Sequence, residues 1–166
     1  KIPLKITKEK KAKALNTFYT ELEKAMIDLA KKIVMDGEGA RKFIEITVTK
    51  AKTATSARKI CFSIANSLLV KTAIAGEDAN WGRLIMAIGK TKINLKIENI
   101  KIYIQNFLLC ENGKAINTID DTKLSLALKR KTVNIKVDLG EGVRDFTVWT
   151  SDLTEDYIRI NADYRS

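Results

Sequence analysis

Histidine is absent from the 166 residues, cysteine occurs twice and proline once. Without histidine the chain cannot contain a Ser-His-Asp or Cys-His machine, nor a histidine-ligated metal. Cys61 and Cys110 are too few for a secreted disulfide framework and read as reduced core thiols. No Walker spacing and no Gly-x-Gly-x-x-Gly occurs, so no phosphate loop is expected. Long apolar runs are missing as well. The most apolar stretch, 60–75, is interrupted by Ser63, Asn66, Ser67, Lys71 and Thr72, and falls short of the roughly 20 apolar residues of a membrane span. The start, Lys1 to Lys8, has no continuous apolar core of a signal peptide. These absences predict a soluble, cytoplasmic chain with no membrane partner.

What is present is a globular composition, 45% hydrophobic and 30% charged, with a formal charge of +10. A chain of this length buries roughly 70% of its unfolded surface without staples. The positive charge is mostly lysine, crowded at Lys1, Lys5, Lys8, Lys10, Lys11 and Lys13 and again at Lys129-Arg130-Lys131. A nucleic-acid interface would interleave arginine and aromatics on one face. Here Phe18 and Tyr19 fall on an apolar stripe, which favours a solvated lysine face, with a basic nucleic-acid-binding domain as the rival.

Hydrophobic spacing predicts a long amphipathic helix over 9–35, with Leu15, Phe18, Leu22, Met26, Leu29 and Ile33 as one buried stripe. Ile44, Ile46 and Val48 alternate as a strand. A helix over 57–67 follows the cap chemistry of Thr53 to Ser56, and 69–75 either extends it or starts anew. Asn80 or Asp78 caps a short helix through Trp81, Leu84, Ile85 and Ile88. Strands are expected at 100–104 and 107–110, with a turn at Asn112-Gly113 and a short helix at 124–128 after Asp120. The runs 133–137 and 143–149 read as an antiparallel hairpin, and Ser151-Asp152 as the cap of a final helix over 153–162, with Tyr157, Ile158 and Ile160 for packing. The sum is a compact α+β fold over 1–166, a subdivision near 90–97 remaining open.

Four stretches have unusual composition. In Met35-Asp36-Gly37-Glu38-Gly39-Ala40, a carboxylate between glycines either points into a cleft to receive a cation or ends the helix as an exposed turn. In 76–83, Asn80 and Arg83 either meet an anion at a helix start or serve as cap and ion pair, with Trp81 as anchor. The tail from Ile160 to Ser166, with Asn161, Tyr164 and Arg165, is suited to docking, whether structural or functional. Cys110-Glu111-Asn112-Gly113 reads as a turn, and Cys110 has no sequence-level partner base.

These stretches, with Lys71-Thr72-Ala73 and Asp152-Leu153-Thr154, resemble the ornithine acetyltransferase family, the bifunctional glutamate N-acetyltransferases of the cyclic arginine pathway. The motifs lie in the family's order from Leu15 to Ser166. The resemblance implies part of an α-β-β-α sandwich and a precursor that cuts itself before a threonine. That threonine carries acetyl from N-acetylornithine to glutamate without a cofactor or metal, its own α-amino group serving as base. It implies Glu38, Asn161 and Ser166 as substrate-binding residues. It implies, as partners, the N-terminal α chain and nucleophile segment of the same precursor in an α2β2 assembly.

The self-cleavage and nucleophile motif itself is not in the sequence. Ala54-Thr55 lacks the family's approach, so the chain is expected to be the C-terminal segment of the β chain, following the nucleophile strand and inactive alone. A non-catalytic remnant is the other rival. Ala79 stands where the family usually has proline, Thr150-Ser151 precedes Asp152, and Ser166 replaces a common threonine while keeping a hydroxyl.

Overall fold

A computed structural model describes residues 8–162, with side chains from residue 11 onward. The readings placed on Ser166 and the rest of 163–166, and on the lysines before residue 11, lie outside the described residues. The chain divides into two units, 1–33 and 34–166.

Helix α1 runs Lys8–Met35, as the spacing predicts. Its stripe differs from expectation: Leu15, Phe18, Leu22, Met26, Leu29 and Ile33 are exposed. Periodicity specifies that a face is to be covered but carries no information on what covers it.

The second unit is built on a six-stranded sheet of order β4-β3-β2-β5-β1-β6. The strands are β1 Phe43–Ala51, β2 Lys101–Ile104, β3 Phe107–Glu111, β4 Lys114–Ala115, β5 Thr132–Asp138 and β6 Arg144–Ser151. β1 pairs parallel with β5 and antiparallel with β6, so that Ile46 stands beside Ile135 on one side and Val148 on the other. On one face of β1, Ile44, Ile46 and Val48 are fully buried, against Ile60, Cys61 and Ile64 of helix α2, Ala54–Ala65. Each such side chain contributes about 1.5–3 kcal/mol on burial.

Strands β5 and β6 are not the hairpin read from their alternation. β1 lies between them, and the loop 139–143 passes over its end. Glu141 and Gly142 donate their amides to the Lys50 carbonyl at 2.9 and 2.8 Å. A Cβ on Gly142 would fall 2.4 Å from the Ala51 carbonyl oxygen, so only glycine permits this crossing. Two alternating runs joined by a short glycine loop look the same in sequence whether or not a third strand enters.

Local chemistry sets the helix boundaries. Thr53, Ser67, Asn80 and Asp120 cap α2, α3 (Leu68–Ala75), α4 (Trp81–Gly89) and α5 (Asp121–Leu128), each side-chain oxygen accepting from a backbone amide three residues on. The Ser67 cap separates α3 from α2. Asn112 and Gly113 both take positive φ at the β3–β4 turn, the two-residue geometry their sequence favours. Helix α6 is Glu155–Ala162, two residues shorter than expected, and has no buried residue. Tyr157, Ile158 and Ile160 are exposed, and Asp152 faces away from its predicted capping role.

Candidate functional site: the Glu38 loop and the tail helix

The α1–β1 connection carries Glu38 and α6 carries Asn161. Asn161 Nδ2 donates to Glu38 Oε2 at 3.1 Å and to the Tyr157 carbonyl at 2.9 Å. Both residues are exposed. The Asn161 amide hydrogens are thus engaged within the protein. The pair presents carbonyl and carboxylate oxygens, an acceptor set suited to an ammonium group. With both Nδ2 hydrogens donated inside the protein, the Asn161 side chain has its carbonyl oxygen left to offer.

The loop is held against the tail by backbone approach and by polar ties. Gly39 has φ +68°, and a Cβ there would lie 2.5 Å from the Tyr157 amide nitrogen, so backbone packs on backbone. Thr154 Oγ1 donates to the Gly39 carbonyl at 2.6 Å. Asp152 Oδ1 accepts the amides of Arg41 and Lys42 at 2.9 and 3.0 Å, and the Asp152 amide donates back to the Lys42 carbonyl. Arg41 Nη2 donates to Asp156 Oδ2 at 2.5 Å. That hydrogen bond and the guanidinium charge hold the Asp156 carboxyl below its ordinary range and raise the Arg41 value.

The Lys42 side chain turns inward, 8% exposed as a residue, with Nζ donating to Glu77 Oε1 at 2.9 Å and to the Leu128 carbonyl at 2.6 Å. Lys42, itself held by the Asp152 clasp, thereby ties the strand start to the α3–α4 turn and the end of α5. A burial of this kind is tolerated because charge and carbonyl both meet the ammonium. Lys71, on α3, is partly buried. Burial lowers its ordinary value while the Asp152 charge pulls the other way.

A cavity of about 440 Å³ borders the same strand start, lined by Met35, Ala40, Arg41, Lys42, Phe43, Lys131 and Thr132. Its volume suits a small molecule; Glu38 and Asn161 stand outside its lining. Among the described residues, no group of three or more histidine, cysteine or acidic side chains could hold a metal. No described helix is long and apolar enough to cross a membrane. Cys61 is buried, donates weakly to the Ile46 and Phe146 carbonyls, and its thiol is pushed up to about 11 by burial. Such a thiol is a core group and not a nucleophile at neutral pH.

Of the other singled-out stretches, Asn80 is a cap. Arg83 donates to the Leu69 carbonyl and the Thr72 hydroxyl, a neutral partnership where an ion pair or an anion was expected. Trp81 packs partly buried against the core. Reading the sequence alone missed the clasp by Asp152, Thr154 and Arg41. The Asp152-Leu153-Thr154 triplet stood out only within the family's motif order; its local pattern is that of a helix cap.

The site is therefore a mixed α+β scaffold with an exposed carboxylate–amide pair at the junction of a glycine loop and a terminal helix. Comparison with known proteins narrows that class: the ArgJ family model matches residues 4–166, and the chain belongs to the ArgJ family. It is 47% identical over 161 residues to the arginine biosynthesis bifunctional protein ArgJ of Mesorhizobium japonicum, covering 97% of this chain and 39% of that protein. With the ArgJ of Agrobacterium fabrum the identity is 44%, over 92% of this chain and 37% of that one. The chain thus spans under two-fifths of the length of these relatives. The crystal structure of ArgJ from Bacillus halodurans matches with a TM-score of 0.85 and 41% identity, over 90% of this chain and 70% of that one.

Proposed function

We propose that residues 1–166 are the C-terminal segment of the β chain of a glutamate N-acetyltransferase of arginine biosynthesis. In this reading a threonine outside the segment, freed by autocatalytic cleavage, attacks the acetyl carbonyl of N-acetylornithine. Ornithine leaves as its amine, and the glutamate α-amine then takes the acetyl group from the threonine ester. The segment alone transfers nothing. It supplies substrate-binding groups: Glu38, Asn161 and, beyond the described residues, Ser166. Its partners are the α chain and nucleophile segment of the same precursor in a cytoplasmic α2β2 enzyme of the α-β-β-α type. The exposed apolar stripe of α1 is a face that the upstream segment would cover. No cofactor or metal takes part.

The observation that carries this reading is the Glu38–Asn161 pair at 3.1 Å. Two residues 123 positions apart, each singled out by a motif of the family, meet as one acceptor surface. Amino-acid substrates such as ornithine and glutamate bring an ammonium to it. The test is Glu38→Gln in the complete enzyme. Loss of a charge-assisted hydrogen bond of about 1.5–3 kcal/mol lowers kcat/KM roughly ten- to 150-fold, with the melting temperature unchanged. Normal kinetics at normal stability would reduce Glu38 to a turn residue.

A further inference from the structure

Resting on that reading of Glu38 and Asn161, we propose that Asp152 is their positioning residue. Its buried carboxylate clasps the Glu38 loop to the segment that carries Asn161, and so sets the distance between the two groups.

Helix α6 has no buried residue, so no core side chain fixes where Asn161 stands. The backbone approach of Gly39 to Tyr157 and a set of polar ties do, and the ties are unequal. The Arg41–Asp156 pair sits on the surface, its arginine side chain 64% exposed, where screening and side-chain entropy leave little net effect. The Thr154 hydroxyl makes one neutral bond to the Gly39 carbonyl. Asp152 is 3% exposed and takes two backbone amides on one oxygen. Charge-assisted bonds in a dry place are the strong kind. They act on residues 41 and 42, three and four positions after Glu38, while the Asp152 main chain continues within ten residues to Asn161.

Two further features argue for more than loop closure. Asp152 Oδ2 is buried without a hydrogen-bond partner among the described residues, an arrangement that needs a reason in a native structure. The carboxylate also acts on the Lys71 ammonium, and the Leu153 amide donates to the Lys71 carbonyl at 3.4 Å. The clasp thereby joins three segments: the Glu38 loop, the middle of α3 and the tail.

The experiment uses the complete enzyme with Asp152→Asn and Thr154→Val, each alone and combined with Glu38→Gln. Asp152→Asn lowers kcat/KM of the folded enzyme by roughly ten- to 100-fold, the scale of a misplacement of about 1 Å. Thr154→Val acts in the same direction and more weakly, and carries the cycle if Asp152→Asn does not fold. In either background Glu38→Gln then does less harm than in the wild type, because the pair it disrupts is already displaced. A crystal structure of the variant shows the Asn161–Glu38 contact opened beyond hydrogen-bond reach, about 3.5 Å. Multiplicative effects, or a melting temperature that falls while kcat/KM of the folded fraction holds, overturn the proposal. So does an Asn161–Glu38 contact retained in the variant crystal. If Glu38→Gln is silent in the wild type, the substrate reading fails instead, and the variant crystal still decides whether Asp152 sets the pair.

Discussion

The two ends of β1 use the same device to different effect. At the start of the strand, Asp152 accepts the amides of Arg41 and Lys42. At its far end, Asp145 accepts the Lys50 amide, Asp138 accepts the Gly140 amide and the Lys50 ammonium, and Glu141 accepts the Lys96 amide. Side-chain carboxylates thus satisfy backbone donors where the ladder ends. The far end consumes its carboxylates in closing the crossover loop. The near end leaves Glu38 and Asn161 exposed beyond the clasp. A strand end that spends its polar groups on itself is scaffold; one that holds further polar groups in place without using them can meet a ligand.

The strongest way to break that contrast is from the middle. Ile46 is fully buried between Ile135 and Val148. Ile46→Ala is expected to destabilise the complete protein by about 2–5 kcal/mol, through lost transfer energy and a residual cavity. Both ends of the strand should loosen together in hydrogen exchange, with kcat/KM of the folded fraction unchanged. Loosening of one end alone would show that the ends are independent.

A second variant addresses the far end by itself. Gly142→Ala places a Cβ 2.4 Å from the Ala51 carbonyl oxygen, so the crossover or the strand end must shift, at about 2–3 kcal/mol. Gly89→Ala, whose Cβ meets nothing within 4 Å, is the control and should change stability by less than about 1 kcal/mol. Denaturant midpoints of the two variants decide. Equal midpoints would mean that the crossing has room the structure does not show.

Much of this frame was readable in the sequence, and the limits are specific. Thr53, Asn80 and Asp120 announce helix starts because a cap acts on an amide three residues away, within any local reading. The alternation in β1 and β5 likewise reports burial on one face. Strand order is different: β5 and β6 look like a hairpin because nothing in 139–143 encodes that β1 lies between them. The clearest failure is Asp152. Ser-Asp before an apolar run is a helix-start signature, yet its partner amide is 110 positions upstream. A side chain that closes a long-range contact carries no periodic signal. The α1 stripe was visible as a pattern, while its exposure depends on what else is present.

The smallest expected effect concerns charge at the far end, and it tests whether those carboxylates are purely structural. Glu141 Oε1 accepts the Lys96 amide at 2.8 Å, and its other oxygen lies 3.3 Å from Lys52 Nζ. The amide bond first, then Lys52, hold the Glu141 carboxyl below its ordinary value, burial opposing them. A depressed carboxylate contributes stability in its ionised form. The contribution is full above the unfolded value of about 4.3 and is lost as pH falls through the lower folded value. Glu141→Gln keeps an acceptor for Lys96 and removes the charge. It should therefore lower stability at pH 7 by less than about 1 kcal/mol, Lys52 being an exposed partner. The difference from wild type should shrink as pH falls from about 4.3 through that lower folded value. Urea unfolding of both proteins at several pH values measures it. A Glu141→Gln deficit that persists unchanged in acid would assign the effect to packing. A loss of kcat/KM at pH 7 beyond the loss of folded protein would mean that the far end, too, reaches the substrate, and the contrast between the two ends of β1 would no longer hold.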